Sequence, residues 1–315
     1  MTTMTEALEN MPEHPNLDVL QHVLDNFQFE AQFFANPHLC NAWQISFDGQ
    51  QALFHVIGQG QCYAHIGDHP PHRLQQGDII MIIHPQPHHL SSAVTRAPTD
   101  FFTTEDQPAA PVMLICGTVR LDNTGPNILL ESLPDFFVIP RQQAQDNLPL
   151  RTLIELLTNE TRQQQSGSKV VLDRLSAALF VMILRHHLRF NATPTGFAGA
   201  IADRRLQPVL LALHQNLGHN WQVDELAQLA CMSRSSFAVY FKEKLGMSPG
   251  TYMTAWRMTK ARQLLKDQRN SVTAIAEQLG YASEAAFRRA FKRFCGEGPG
   301  LIRREARHPP PQTLP

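Results

Sequence analysis

The alternation of apolar and polar positions changes character several times along the chain. Leu17, Leu20, Leu24 and Phe27 recur at helical spacing and predict a short opening helix. From about residue 42 to 140 the pattern becomes short apolar runs, among them ALFHVIG, DIIMII and PVMLICGTVRL. Turn chemistry separates them: DG at 48–49, GD at 67–68, PP at 70–71 and GD at 77–78. Many short strands at this spacing predict an antiparallel β sandwich or barrel. Helical periodicity then returns in LRTLIELLTNETRQQQ and KVVLDRLSAALFVMILRHHLRF, split by SGS at 166–168, which predicts an antiparallel helical pair. The second of these helices is apolar on more than one face, through Val171, Leu172, Leu175, Leu179, Val181, Met182, Ile183 and Leu188. Such a helix needs burial on two sides, against its own β domain or against a second copy of the chain.

Residues 191–202, NATPTGFAGAIA, read as a linker. Everything beyond, to about residue 307, is helical in pattern. The reading is therefore an α+β chain. It has a disordered tail over 1–16, a β-rich domain over 17–145, a dimerising helical pair over 146–190, the linker, and an all-α domain over 203–307. The closing HPPPQTLP is expected to be disordered.

Composition sharpens this picture at one point. The apolar fraction of 43% and charged fraction of 17% are those of a globular protein, and the net charge is −1. That near-neutral total hides an asymmetry. From Asp203 onward there are seventeen Lys and Arg against nine Asp and Glu, whereas the first 202 residues hold ten against nineteen. An acidic half joined to a basic half points to a polyanionic partner for the basic one. No apolar run is long enough for a membrane span, and the N-terminus lacks the basic start and apolar core of a secretory signal. The five cysteines, Cys40, Cys62, Cys116, Cys231 and Cys295, are scattered and odd in number, which argues for a reducing, cytoplasmic setting.

The basic half contains an internal repeat. VDELAQLACMSRSSFAVYFKEKLGMSP aligns with VTAIAEQLGYASEAAFRRAFKRFCGEGP. Ala227 and Ala276 are 49 residues apart; Phe237 and Phe287, Phe241 and Phe291, Gly246 and Gly296, and Pro249 and Pro299 are each 50 apart. The one-residue difference falls in the turn. Each copy reads as a helix-turn-helix, with an alanine where the helices cross and Ser233 or Ser283 capping the second helix. Phe237 and Phe241 in copy one, and Phe287, Ala290, Phe291 and Phe294 in copy two, line the buried face. At 100° per residue the opposite face is then Ser235, Ala238, Val239 and Lys242 in copy one, and Ala285, Arg288, Arg289 and Lys292 in copy two.

These two motifs, with the connecting TYMTAWRMTKARQLL, resemble the DNA-binding domain of the AraC/XylS family of bacterial transcription regulators. The resemblance covers about residues 203–305. It departs from the usual pattern at Cys295, Gly298 and Leu301, all on the structural side of the motif. It implies two recognition helices entering successive major grooves of double-stranded DNA. Arg288 or Arg289 would pair with guanine, Glu284 would accept from cytosine, and Lys292 and Arg293 would meet phosphate. In copy one, Arg234 and Ser235 are the polar readers, Ala238 and Val239 suit thymine methyls, and Lys242 lies on the same face. Arg257, Lys260 and Arg262 are further phosphate candidates, with ordinary helix-surface charge an equally good account of them.

The front half carries seven histidines between residues 55 and 89: His55, His65, His69, His72, His84, His88 and His89. GDIIMIIHPQPHHL is similar to the second cupin motif, with Gly77 and His88 at its spacing. IGQGQCYAHIGD resembles part of the first, but the H-x-H and glutamate are missing, and Leu53 stands where the glutamate belongs. The resemblance implies a cupin-like β-barrel serving as an effector domain over about 17–190, with its metal chemistry degenerate, so no cofactor and no enzymatic activity are expected. CGT-x-RL (Cys116 to Leu121) is shared with regulators of reactive-chlorine resistance. Three inputs are open: a small effector lined by His55, His88 and Cys116; thiol oxidation at Cys40, Cys62 or Cys116; and a metal at His84, His88 and His89.

The expectation is a cytoplasmic, homodimeric, sequence-specific transcription regulator. It is expected to be an activator, with DNA, a small-molecule or oxidant effector and RNA polymerase as partners and no membrane association. The rivals are a cupin enzyme fused to a DNA-binding module and a DNA binder without a signal.

Overall fold

The structure, a computed structural model, describes residues 15–26, 29–35, 37–97, 100–102, 111–121, 128–163, 165–190 and 196–307. Most of the expected tail over 1–16, all of 308–315 and the first part of the expected linker lie outside these; the last two residues of the first tail, Pro15 and Asn16, open a helix instead. The chain divides into two compact units. One comprises 29–122 and 133–191; the other comprises 1–28, 123–132 and 192–315.

The first unit is built from short strands: β1 (Phe29–Ala35), β2 (His38–Leu39), β3 (Trp43–Phe47), β4 (Ala52–Gln59), β5 (Gln61–Ile66), β6 (His72–Gln75), β7 (Ile79–Ile82), β8 (His88–Ser91), β9 (Phe101–Phe102), β10 (Val112–Leu121) and β11 (Phe136–Ile139). They form two antiparallel sheets. One runs β1-β10-β4-β7-β11 with β2 also on β10; the other runs β6-β5-β8-β3-β9. Alternate side chains of the two sheets interleave in one core. Ile57, Ile80, Ile82 and Leu114 come from the first sheet, and Trp43, Ala64, Ile66 and Leu90 from the second. The expected β domain is thus a two-sheet sandwich of the cupin kind. The helical pair follows as α4 (Leu148–Gln163) and α5 (Ser168–Phe190), after the short α3 (Arg141–Asp146), while the short α2 (Ile128–Glu131) between β10 and β11 belongs to the other unit. Leu172, Leu179, Phe180, Ile183 and Leu184 of α5 are buried, and Phe180 packs on Phe29 of β1 with ring centroids 4.9 Å apart.

The second unit holds α6 (Gly196–Ala202), α7 (Gln207–Gln215), α8 (Val223–Leu229), α9 (Arg234–Leu245), α10 (Pro249–Lys266), α11 (Val272–Gln278), α12 (Glu284–Cys295) and α13 (Pro299–Arg307). Two sequence expectations change here. Residues 196–202 are a helix rather than linker, with Phe197, Ala200 and Ile201 buried. The two glycines, Gly196 and Gly199, following the Thr-Pro-Thr run, give a loop-like local signal, and burial of the apolar FAGAI run overrides it. The opening helix, α1 (Pro15–Asn26), belongs to this unit and not to the β domain. Its Val19, Leu20 and Val23 are buried, and it packs on α7 and α6. Periodicity identified the helix but contains nothing about its partner.

Candidate nucleic-acid interface and buried histidine core

Each half of the repeat folds as a lobe with a two-helix motif, α8 and α9 in the first, α11 and α12 in the second. α8 and α11 have seven residues each, α9 and α12 twelve each. The backbone turns match as well: Met232 N–H donates to the Ala227 carbonyl and Tyr281 N–H to the Ala276 carbonyl, both at 2.9 Å. The inserted residue in the second turn is Ala282. Ser233 and Ser283 cap their helices, each hydroxyl accepting from the backbone N–H three residues on. Gly246 and Gly296 close them in the left-handed conformation.

Phe237, Phe241, Phe287 and Phe291 are fully buried, while Ala290 and Phe294 are half-buried. On the opposite face Arg234, Ser235, Val239 and Lys242 are exposed and Ala238 half-exposed. Ala285, Arg288, Arg289, Lys292 and Arg293 are exposed and Glu284 half-exposed. The structure therefore gathers these residues onto one outward face per lobe. It also engages three of them. Arg234 Nη1 lies 3.1 Å from Asp224 Oδ2. Arg288 Nε lies 2.6 Å from Glu284 Oε1, and Thr273 Oγ1 donates to the other Glu284 oxygen. The Thr273 hydroxyl first, and the Arg288 guanidinium with it, hold the Glu284 carboxyl below its usual range.

Two of the three phosphate candidates on α10, Arg257 and Arg262, are turned inward. Arg257 is turned into the fold, donating from Nε to the Leu217 carbonyl at 2.8 Å and from Nη2 to the His219 carbonyl at 2.7 Å. Arg262 is 6% exposed and pairs with Glu297 at 3.3 Å. Lys260 donates to Gln263 at 2.7 Å. A long cationic side chain at a helix crossing satisfies buried carbonyls or carboxylates before it can reach a phosphate.

In the β unit, His55, His88 and Cys116 meet in the core. Cys116 of β10 is opposite His55 of β4 in register. Cys116 Sγ lies 3.0 Å from His55 Nδ1, His55 Nε2 lies 2.9 Å from His88 Nε2, and His88 Nδ1 lies 3.3 Å from the Gln86 carbonyl. That carbonyl can only accept, which assigns every donor in the chain. His88 donates to Gln86, His55 donates to His88, and the Cys116 thiol donates to His55. Phe47 stacks on His88 with centroids 4.7 Å apart. Burial, and then the neighbouring His88, push His55 well below the usual imidazole range. Burial lowers His88 to about 4, against the opposing pull of the Gln86 carbonyl. All three groups are thus neutral at pH 7.

The cysteines divide by exposure. Cys40 is exposed. Cys62 is buried, and burial with the charge of Asp78 pushes its thiol up to about 12; burial raises Cys116 as well. Neither buried thiol holds thiolate character. The metal set His84, His88 and His89 is not formed. Adjacent strand residues point to opposite faces, so His88 faces the core while His89 Nδ1 meets Ser46 Oγ at 2.5 Å, and His84 lies by the Leu133 carbonyl at 3.3 Å. Among the described residues no three His, Cys, Asp or Glu side chains group to hold a metal. No helix among them is long and apolar enough to cross a membrane.

Two matched helix-turn-helix lobes on one connecting helix, joined in sequence to a two-sheet cupin sandwich, define a DNA-binding protein with an appended β domain. Residues 18–189 match a cupin family and residues 226–305 a helix-turn-helix domain family. A helix-turn-helix-type transcriptional regulator of Haemophilus influenzae is 34% identical over 301 residues, 91% of this chain and 98% of that one. An AraC-like transcription regulator of Streptomyces antibioticus is 30% identical over 307 residues, 94% and 100% of the two chains. The Escherichia coli RCS-specific HTH-type transcriptional activator RclR is 28% identical over 295 residues, 92% and 99%. Among solved structures, the DNA-binding domain of AdpA in complex with a target DNA is 32% identical, covering 35% of this chain and 99% of that one, with a TM-score of 0.32. The chain belongs to the AraC-type family of DNA-binding transcription regulators with a cupin N-terminal domain.

Proposed function

We propose that this regulator reads a promoter operator with both lobes, placing α9 and α12 in successive major grooves about 34 Å apart. The observation that carries the reading is the pair of matched recognition helices, each sealed by two buried phenylalanines and each presenting its polar face outward. Arg289 reads a base edge, and Lys292 and Arg293 grip phosphate. Lys242 does the same in the first lobe, where Ala238 and Val239 offer only methyl and shape contacts. A DNA partner supports a cytoplasmic location.

The β unit is the regulatory half, answering a small effector or an oxidant. The hydrogen-bonded chain from Cys116 to Gln86 supports this. A small ligand inserted beside Cys116 breaks a buried hydrogen bond and so changes the packing of the sandwich core. Homodimerisation through the helical pair is supported by exposed apolar residues there: Leu148, Leu156, Val170, Val171 and Phe190 are 43–63% exposed. Activation, with RNA polymerase as the further partner, draws support from the Escherichia coli relative, which is named an activator.

Gel shifts on operator variants test the DNA reading. Arg289→Ala is expected to lose about 5- to 150-fold in affinity at sequences carrying its base and little elsewhere. Lys292→Ala is expected to weaken all sequences alike and to lower the salt slope by about 1. The reverse pattern overturns the assignment. The exposed Cys40 is the thiol within an oxidant's reach, and the same titrations with a thiol oxidant are expected to change wild-type binding and to leave Cys40→Ser unchanged. A Cys40→Ser protein that responds like the wild type contradicts an oxidant input at this thiol.

A further inference from the structure

The two lobes hold the first residue of their recognition helix in the same way but with opposite charge. In the first lobe that residue is Arg234, and the second residue of the preceding helix, Asp224, pairs with it at 3.1 Å. In the second lobe the residue is Glu284, and the second residue of the preceding helix, Thr273, donates a hydrogen bond to it. The repeat offsets, 49 before the turn and 50 after it, make Asp224 equivalent to Thr273 and Arg234 to Glu284. One structural seat therefore carries a cation in one lobe and an anion in the other.

Local electrostatics explain why each partner is needed. The N-terminus of a helix is its positive end, so Arg234 sits there unfavourably unless a carboxylate offsets it. Asp224 supplies that carboxylate. Glu284 suits the helix end without help, so a neutral hydroxyl suffices beside it. Its residual charge is met by Arg288 one turn on, at 2.6 Å. The first-lobe residue equivalent to Arg288 is Ala238, which offers no such partner and is not needed by an arginine.

We propose that this seat sets opposite base preferences in the two boxes of the operator: Arg234 donates to guanine in the first, and Glu284, positioned by Thr273 and Arg288, accepts from cytosine in the second. The inference rests on the DNA reading above and adds its polarity. N-terminal residues of a recognition helix are those that reach base edges. An arginine offers only donors and pairs with guanine O6 and N7. A carboxylate only accepts and suits the cytosine amino group. Each Glu284 oxygen already takes one hydrogen bond and retains a lone pair for another. Arg288 is then a positioning residue for Glu284, and its guanidinium also lowers the repulsion between that carboxylate and the DNA backbone.

In vitro selection from randomised duplexes, with the full-length protein, tests this. The wild type is expected to enrich two boxes with guanine in one and cytosine in the other at the equivalent position. Glu284→Gln keeps the acceptor and adds an amide donor, so cytosine is expected to give way to adenine at that position alone, by about fivefold or more. The triple change Thr273→Asp, Glu284→Arg, Arg288→Ala rebuilds the first-lobe seat in the second lobe and is expected to convert cytosine to guanine there. Circular dichroism checks that each variant is folded. Folded variants that leave that position unchanged, or that lose all positions together, overturn the proposal and leave the DNA reading intact. A wild type that enriches no sequence contradicts the DNA reading and this one with it.

Discussion

Cys231 adopts φ 53° in the turn of the first lobe, where the second lobe has Gly280 at φ 77°. A side chain in the left-handed region costs energy that glycine does not, and Cys231 is exposed, so its thiol contributes little packing to offset it. Cys231→Gly is expected to stabilise the basic unit by about 0.5–1 kcal/mol, the strain relief exceeding glycine's extra unfolded-state entropy. Tryptophan fluorescence from Trp221 and Trp256 during urea unfolding measures it; a lower midpoint contradicts the strain. Much at this scale was legible in sequence. The helical period separated Phe237 and Phe287 from Arg289 and Lys292, and matched serines and glycines marked the caps. The inward turn of Arg257 and Arg262 was not legible, because a cation's partner across a helix crossing has no fixed spacing. The seat joining Thr273 to Glu284 was missed for the same reason, although the Glu284 to Arg288 spacing of four was visible.

At the scale of elements, the sandwich core shows how a polar chain survives among apolar side chains. Cys116, His55 and His88 are at most 1% exposed and satisfy one another in a single direction ending at Gln86. Candidate lining residues on β4, β8 and β10 do come together, but as a closed chain rather than as the wall of an open mouth. The sign of its pH response follows from its neutrality. The folded state lowers the His88 pKa to about 4, so the unfolded chain binds more protons between that value and the ordinary 6.5. The stability this histidine contributes is full above about pH 6.5 and is lost as pH falls toward 4. About 2 kcal/mol is expected to disappear between pH 7 and 5, and His88→Gln is expected to remove that part of the slope. Urea midpoints followed at Trp43 in the β unit across this range check it; equal slopes in both proteins contradict the burial of a neutral His88. Strand alternation, applied to His88 and His89, was enough to separate the expected metal set. The helix at Gly196–Ala202 was hidden because burial, not local preference, holds it.

For the whole molecule, the charge division proved the most informative global feature. Seventeen cations against nine anions from residue 203 onward mark off the DNA-binding half, and the two matched lobes repeat within it. The boundary drawn from composition was approximate for a physical reason. The second unit also includes α1 and α2 from early in the chain, and neither charge nor periodicity records which distant surface an apolar stripe covers. Reading of DNA by one chain through two helix-turn-helix lobes is checked by hydroxyl-radical footprinting on a promoter fragment recovered with the purified protein. For each bound protomer, two protected patches are expected on one face of the duplex, about one helical turn apart. A single patch, or uniform protection without discrete boundaries, contradicts it.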